Sequence, residues 1–200
     1  MQAAGEVFQA LVGVPEYEVP ATLMRNCYAV AIIPGVRRAG LVIGVQRGKG
    51  VLLARGAKGG WSRPLFITLS GASIGWQVGI QSSDVVLFFR TRDSVEHVLN
   101  GKYTLGVDAS LAAGSLGRSA AAVTDSDLTA EIYSYARSRG IFAGLAVQGA
   151  ALDVDTGAAA AYYGKAGLDA AAVLAGTGLP TPVDAARLQG ILADYEKKLR

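Results

Sequence analysis

The stretch 36–61 reads VRRAGLVIGVQRGKGVLLARGAKGGW, and residues 71–79 continue the same pattern as GASIGWQVG. Short apolar runs alternate in it with Gly-rich segments that carry Lys or Arg. Apolar runs of this length, bounded by Gly, are typical of β-strands joined by tight turns. Connections this short join antiparallel neighbours and leave no room for a βαβ crossover. The stretch therefore predicts a block of antiparallel strands with basic turns.

Charge is segregated along the chain. From residue 19 to residue 83 there is no Asp or Glu, while eight Lys and Arg fall in that range. The net charge of the whole chain is only +3, because the acidic residues gather later. A block of strands with one sign of charge indicates a surface for something anionic.

Composition predicts a folded chain with a sizeable core, since 51% of the 200 residues are apolar and 18% are charged. The single Cys27 excludes an internal disulfide and a Cys-rich metal site. The first residues lack the charged and apolar regions of a signal peptide, so we expect none in this sequence. The uncharged run 64–83 is as long as a membrane span, but it contains polar residues and alternates with period two in its second half. We therefore expect strands there.

The fold class that we predict is α+β: a curved antiparallel sheet, barrel- or sandwich-like, with N- and C-terminal helices and one short inserted helix. Helices are expected at 2–12, from Pro20, and at 93–100, 156–163, 169–175 and 183–199. Strands are expected at 28–33, 40–47, 50–56, 65–70, 73–81, 84–90, 103–111, 116–123, 130–138 and 141–152. The dipeptide Pro34-Gly35 is expected to end the first strand, and the apolar run 141–152 is expected to be a central strand. The 26 Gly favour bulges and bends, which suit strong curvature.

The candidate lipid-binding residues are the cations in or beside the predicted basic turns, together with one aromatic residue: Arg37, Arg38, Lys49, Arg55, Lys58, Trp61 and Arg63. Gly-rich turns can form anion-binding nests, and each Lys or Arg near anionic lipid contributes about 1 kcal/mol. Trp61 is expected to be an exposed interfacial anchor. On the residues alone, an anionic phospholipid membrane as the partner and a solvated face without ligand are two equally weighted alternatives. Because no nucleic-acid-binding motif accompanies the charge, we expect no nucleic acid partner.

One enzymatic motif is present. Residues 71–75 match the nucleophile elbow G-x-S-x-G at Ser73, and Asp84 and His97 follow in the chain order of an α/β-hydrolase. The elbow requires a strand, a strained turn and then a helix, whereas the residues after Ser73 alternate like a strand. A serine hydrolase using Ser73 is thus kept as an alternative, and no catalytic residue, cofactor or metal is predicted. The only histidine, His97, lacks partners for zinc, and Cys27 is expected to be a buried, unreactive thiol.

The sequence resembles the SYLF-domain family from about Val19 to Gly176. The pieces that carry the resemblance stand in the family's order and spacing: VPATLM (19–24), AVAIIP (29–34), VRRAG (36–40), GVLLAR (50–55), WSRP (61–64), GWQVG (75–79), YSYARSRG (133–140), FAG (142–144) and YYGK (162–165). The chain looks like a bacterial-type, single-domain member over 1–200, with a core at about 19–176, an N-terminal helix at 2–12 and a C-terminal helix at 183–199.

The resemblance implies a non-catalytic module that binds phosphoinositides or other anionic phospholipids. Some fungal members of the family also bind actin filaments, so a protein-interaction scaffold, actin-like or envelope-associated, is a further alternative. The implied localisation is peripheral membrane association. It would be periplasmic or exported if an N-terminal signal was removed, and otherwise cytoplasmic.

Overall fold

The computed structural model describes residues 1–13, 19–40, 43–56, 59–74, 79–101, 103–113, 128–138, 141–143, 147–176 and 178–199. The helices in these ranges are α1 (Gln2–Val12), α2 (Ala21–Asn26), α3 (Arg92–Leu99), α4 (Thr156–Tyr163), α5 (Ala170–Ala175) and α6 (Val183–Lys198). The strands are β1 (Ala29–Gly40), β2 (Ile43–Ala54), β3 (Leu65–Ile74), β4 (Gly79–Phe89), β5 (Tyr103–Thr104), β6 (Leu111–Ala113), β7 (Ile132–Ser138), β8 (Ile141–Ala143) and β9 (Ala150–Val154).

The strands form one sheet in the order β5-β9-β3-β2-β1-β4-β7-β6, and β8 also pairs with β7. Among the described strands, β6 and β7 pair in parallel and the other pairs are antiparallel. The sheet curls into a half-barrel with helices at both chain ends. This arrangement confirms the predicted α+β class with a curved sheet, and the parallel pair makes the sheet mixed.

Apolar side chains are buried on both faces of the curled sheet. Because successive strand residues point to opposite faces, Ile32 and Ile33 belong to different buried clusters, one on each face. The cluster that contains Ile32 is covered by α1 and α6, which contribute Phe8 and Leu192. These helices cover one part of that sheet face, and the far halves of β1 and β2 carry exposed side chains on it.

The dipeptide Pro34-Gly35 does not end the first strand, contrary to the prediction. β1 continues to Gly40, and its pairing with β4 shifts register beside the dipeptide. Gly35 has a φ of 59°, which Gly adopts without strain, and its N–H donates to Asp84 Oδ1 at 2.9 Å. The dipeptide therefore forms a β-bulge, and β1 stays long enough to carry predicted binding residues within the strand.

The segment 48–50 is strand as well, although its glycines predicted a turn. β2 runs unbroken from 43 to 54, so the expected strands 40–47 and 50–56 are largely one strand. A Cβ atom at Gly50 would lie 2.3 Å from the carbonyl oxygen of Ile32 on β1. Glycine is needed here for close approach of two backbones, a use that sequence alone does not distinguish from a turn.

The C-terminal helices agree with the predictions, whereas two of the predicted strands do not. α4 coincides with the predicted 156–163, and α5 and α6 agree with their predicted helices to within a residue. The run 141–152 is not one central strand, because β8 and β9 are separate and Gly149, with a φ of 77°, lies in the turn before β9. The expected strand 103–111 is reduced to β5 followed by a turn. The expected strand 116–123 lies outside the described residues.

Candidate functional site

The strand register brings two arginines together on an exposed surface. Arg37 on β1 lies directly opposite Arg47 on β2, and both residues are exposed. The neighbouring pair on the same face is Ala39 and Val45, and Val45 is 69% exposed. We call the surface defined by Arg37, Ala39, Val45 and Arg47 the basic face.

The row that contains the two arginines carries no carboxylate. Arg37 is flanked on β4 by Ser82, and Arg47 is flanked on β3 by Ser70. Within the described ranges, neither arginine forms an ion pair. Like charges directly opposite each other destabilise a sheet, so the basic face holds positive charge that an anionic ligand would compensate.

Lys49 lies at the margin of this face and already has a partner. It follows Arg47 by two residues in β2 and therefore points to the same side. Its Nζ lies 3.0 Å from Asp155 Oδ2, while the Lys49 side chain remains 72% exposed. Asp155 also accepts the N–H of Ala158 at the start of α4. The pKa of Asp155 is lowered from its usual value, first by the hydrogen bond from the Ala158 N–H and second by the hydrogen bond from Lys49.

Arg38 points away from the basic face, since it adjoins Arg37 in the strand. It lies opposite Gln46, and its Nη2 donates to Gln46 Oε1 at 3.4 Å. Gln46 is buried. The structure therefore separates the two adjacent arginines that the sequence placed in one site.

Arg55 and Trp61 are in contact with each other inside the protein. The Arg55 guanidinium lies 4.3 Å from the centroid of the Trp61 ring, and its Nη1 lies 2.6 Å from Glu196 Oε2 on α6. Its other nitrogens donate to the carbonyl oxygens of Met24 at 2.9 Å and Cys27 at 3.3 Å. Trp61 is only 8% exposed, so the expectation of an exposed aromatic anchor is wrong: the Arg55 side chain and the C-terminal helix cover this part of the sheet.

Arg63 also makes contacts within the fold. Its Nε donates to the carbonyl oxygen of Pro180 at 3.0 Å, and its Nη1 donates to that of Gly176. These bonds hold Gly176, at the end of α5, and Pro180, before α6, against Arg63. Lys58, the remaining predicted cation, lies outside the described residues. Of the predicted binding residues, the basic face thus contains Arg37, with Lys49 at its margin.

A comparison with protein-family models identifies the family of this chain. The family model described as "Ysc84: Las17-binding protein actin regulator" matches residues 70–195, which is more than half of the chain. The chain belongs to the Ysc84 family. This finding confirms the SYLF resemblance.

Several curated Ysc84 relatives are longer than this chain. The yeast "LAS seventeen-binding protein 3" of Saccharomyces cerevisiae is 35% identical over 82% of the chain and 36% of its own length. The "SH3 domain-containing YSC84-like protein 1" of Xenopus laevis is 30% identical over 92% of the chain and 55% of its own length. The human protein of the same name is 32% identical over 69% of the chain and 40% of its own length. The chain thus spans between about a third and about half of the relatives that it matches.

The described geometry of this Ysc84-family chain does not assemble a nucleophile elbow. Ser73 lies within β3, opposite Gly44 of β2, rather than at a turn that leads into a helix. Asp84 accepts the N–H of Gly35 at the β-bulge, and His97 is exposed on α3. Ysc84 is described as a family of actin regulators rather than as an enzyme family.

Cys27 is buried in the fold, and this burial raises the pKa of its thiol to about 12. The described ranges contain no cluster of three or more His, Cys, Asp or Glu that could hold a metal. Among the helices described above, none is both long and apolar enough to cross a membrane.

The sequence predictions left out three members of the basic face: Ala39, Val45 and Arg47. Val45, Arg47 and Lys49 stand two residues apart, which in a strand places them on one face. That spacing was available in the sequence. It was obscured because segment 48–50 was interpreted as a turn.

Proposed function

We propose that the basic face binds anionic phospholipid at a membrane surface, so that the protein acts as a peripheral, non-catalytic membrane-binding module. The observation that carries this proposal is the exposed pair Arg37 and Arg47, directly opposite each other. Two guanidinium groups so placed can share one phosphate, with two parallel hydrogen bonds available from each group. Near an anionic leaflet the two charges contribute about 2 kcal/mol, at about 1 kcal/mol each.

Val45 gives this surface an apolar component. It is 69% exposed, and its pair with Ala39 is the next pair on the same face after Arg37 and Arg47. Burial of an exposed valine side chain in an apolar environment contributes about 1–2 kcal/mol. An exposed sheet surface with cations and one apolar side chain supports contact with headgroups rather than deep insertion.

The proposal gives the predicted cations unequal weight. Arg37 is exposed, and Lys49 can exchange its surface ion pair for a phosphate because such pairs contribute little to stability. Arg38, Arg55 and Arg63 donate hydrogen bonds within the fold, so contact of these residues with lipid stays a prediction. We assign the main contribution to Arg37 and Arg47.

A second candidate function is binding of a protein involved in actin regulation. It is favoured by the family description, "Las17-binding protein actin regulator", and by the yeast relative's name, which states binding to LAS seventeen. The basic face is also suited to an acidic segment of such a partner, because carboxylates and phosphates bind guanidinium groups in the same geometry.

Co-sedimentation with vesicles tests the membrane proposal. Wild-type protein is mixed with neutral phosphatidylcholine vesicles and with vesicles that contain about 20% anionic phospholipid, at about 0.1 M and about 0.5 M salt. We expect binding to the anionic vesicles only, weakened by salt. Arg37→Gln/Arg47→Gln should lower the partition coefficient by more than about tenfold, since about 2 kcal/mol is removed.

The matched control is Lys165→Gln/Lys198→Gln, which removes two exposed charges outside the basic face. It should retain most of the vesicle binding. Failure of the wild type to bind any anionic vesicle, or equal losses in the two double variants, would overturn the assignment to the basic face. Retained affinity for an acidic peptide in the absence of vesicle binding would favour the second candidate.

A further inference from the structure

The ion pair of Lys49 and Asp155 draws a cation away from the two arginines of the basic face. Lys49 lies on β2, and its Nζ lies 3.0 Å from Oδ2 of Asp155, the residue that follows β9. Because β3 lies between β2 and β9 in the sheet, the Lys49 side chain reaches across β3 to make this contact. The strand that carries Arg37, β1, lies on the other side of β2. The ammonium group is therefore held on the side of β2 that is remote from Arg37.

The Asp155 carboxylate is fixed in place by hydrogen bonds that do not involve Lys49. Its Oδ1 accepts the N–H of Ala158 at 2.9 Å, at the start of α4. The backbone N–H of Asp155 donates to the carbonyl oxygen of Phe66 on β3, also at 2.9 Å. The Asp155 side chain is 18% exposed, whereas that of Lys49 is 72% exposed. Lys49 can thus leave the pair by rotating about its side-chain bonds, but the carboxylate has to stay.

An anionic ligand that recruits Lys49 therefore uncovers a negative charge beside itself. The surface ion pair is weak and easily broken, but the freed carboxylate of Asp155 then repels the ligand. Taken together, Lys49 and Asp155 add no net charge to the surface around Arg37 and Arg47. The two arginines meet no such opposition, because in the described part of the chain neither forms an ion pair.

We propose that Asp155 determines the charge selectivity of the basic face by withholding Lys49 from weakly anionic membranes. This inference rests on the proposed function and adds to it the kind of membrane that is preferred. On a membrane with few anionic lipids, Arg37 and Arg47 act alone. On a densely anionic membrane the high local concentration of anionic headgroups competes with Asp155, and Lys49 becomes a third contact. The face thereby distinguishes membranes by their density of negative charge.

Asp155→Asn tests the proposal, because asparagine caps a helix as well as aspartate does and has no charge to hold Lys49. The variant and the wild type are compared by co-sedimentation with phosphatidylcholine vesicles that contain increasing fractions of phosphatidylglycerol. One additional available cation should raise the partition coefficient about fivefold, and half-maximal binding should require a smaller fraction of phosphatidylglycerol. Binding of the variant should also weaken more between about 0.1 M and about 0.5 M salt, since a third charge takes part.

Asp169→Asn is the matched control. Asp169 also caps a helix, since its Oδ2 accepts the N–H of Ala172 at 3.2 Å, and its substitution changes the net charge of the chain by the same amount. It lines a cleft together with Gly56, beyond the end of β2 that is remote from the basic face. Because charges remote from the contact are screened, Asp169→Asn should bind vesicles within about twofold of the wild type.

Lys49→Gln in the Asp155→Asn background shows whether the gain depends on Lys49. This double variant should bind about fivefold less tightly than Asp155→Asn, which returns it to about the wild-type level. If the double variant keeps the full gain, removal of repulsion by Asp155 alone explains that gain, and the proposal is overturned. Circular dichroism should show that all variants retain the wild-type fold.

The outcomes separate this inference from the proposed function. If the wild type binds anionic vesicles while Asp155→Asn and Asp169→Asn bind alike, the role of Asp155 is overturned and the proposed function stands. If neither the wild type nor any variant binds, the proposed function and this inference fail together.

Discussion

Arg55 holds the C-terminal helix to the sheet through its guanidinium. The Arg55 and Glu196 side chains are 20% and 18% exposed, and their closest atoms lie 2.6 Å apart. Removal of one partner from a largely buried pair leaves the other charge uncompensated. We expect Glu196→Gln to lower the free energy of unfolding by about 1–3 kcal/mol, measured by urea denaturation. The loss should be at the lower end of this range because both side chains remain partly exposed to solvent.

An exposed ion pair on the same helix supplies the control. Lys197 and Asp194 approach to 3.7 Å, with side chains 74% and 72% exposed. Asp194→Asn should change the free energy of unfolding by less than about 0.5 kcal/mol. Equal effects of Asp194→Asn and Glu196→Gln would contradict the structural role of Arg55. An Arg55→Gln variant that keeps its stability and loses vesicle binding would instead support the predicted lipid contact.

At the scale of elements, the long β1–β2 pair depends on glycine at position 50. An alanine there would place its Cβ 2.3 Å from the Ile32 carbonyl oxygen, which is backbone and cannot rotate away. Overpacking of this kind costs about 1–3 kcal/mol. We therefore expect Gly50→Ala to lower the midpoint of thermal unfolding. Gly190→Ala is the matched control: it lies inside α6 with nothing within 4 Å of the new Cβ, and it should stabilise the protein by about 0.5–1 kcal/mol. An unchanged midpoint of thermal unfolding in the Gly50→Ala variant would contradict the close approach of β1 and β2.

The same glycine explains why the strands were harder to predict than the helices. The helices α4 and α5 follow local signals: the Asp155 and Asp169 side chains accept N–H groups at their starts, and Gly176 ends α5 with a φ of 72°. Such caps are visible in a few consecutive residues. Gly50, by contrast, serves a contact with a neighbouring strand, and the sequence does not show which strand approaches it.

The candidate site was predictable to the same limited extent. The charge segregation between residues 19 and 83 pointed to Arg37, and the structure leaves that side chain exposed. The pairing of Arg37 with Arg47 depends on the register of two strands. The burial of Trp61 and Arg55 depends on α6, more than a hundred residues away in the sequence. Local patterns identify charged stretches, whereas tertiary contacts decide which charges remain available to a ligand.

At the scale of the whole molecule, stability should decline in alkali because the fold keeps a buried thiol and buried phenols neutral. Burial raises the pKa of Cys27 to about 12 and that of Tyr163 to about 12, and it raises the pKa of Tyr135 as well. In an unfolded chain these groups titrate near about 8.5 for Cys and about 10 for Tyr. Between these values the folded state binds more protons than the unfolded state, so the stabilisation is complete below the unfolded pKa and is lost as the pH rises towards the folded pKa.

We therefore expect the free energy of unfolding to fall between about pH 8.5 and about pH 12. Urea denaturation at a series of pH values measures it. Tyr163→Phe removes the hydroxyl that donates to the carbonyl oxygen of Pro64 at 2.8 Å, so it should lower stability by about 1 kcal/mol at neutral pH and make the decline above about pH 10 shallower. Cys27→Ala should delay the onset of the decline from about pH 8.5 to about pH 10, where the tyrosines begin to ionise. A wild-type stability that does not change over this range would show that these groups are solvated in the folded state, and the packing of α6 and α4 against the sheet would have to be revised.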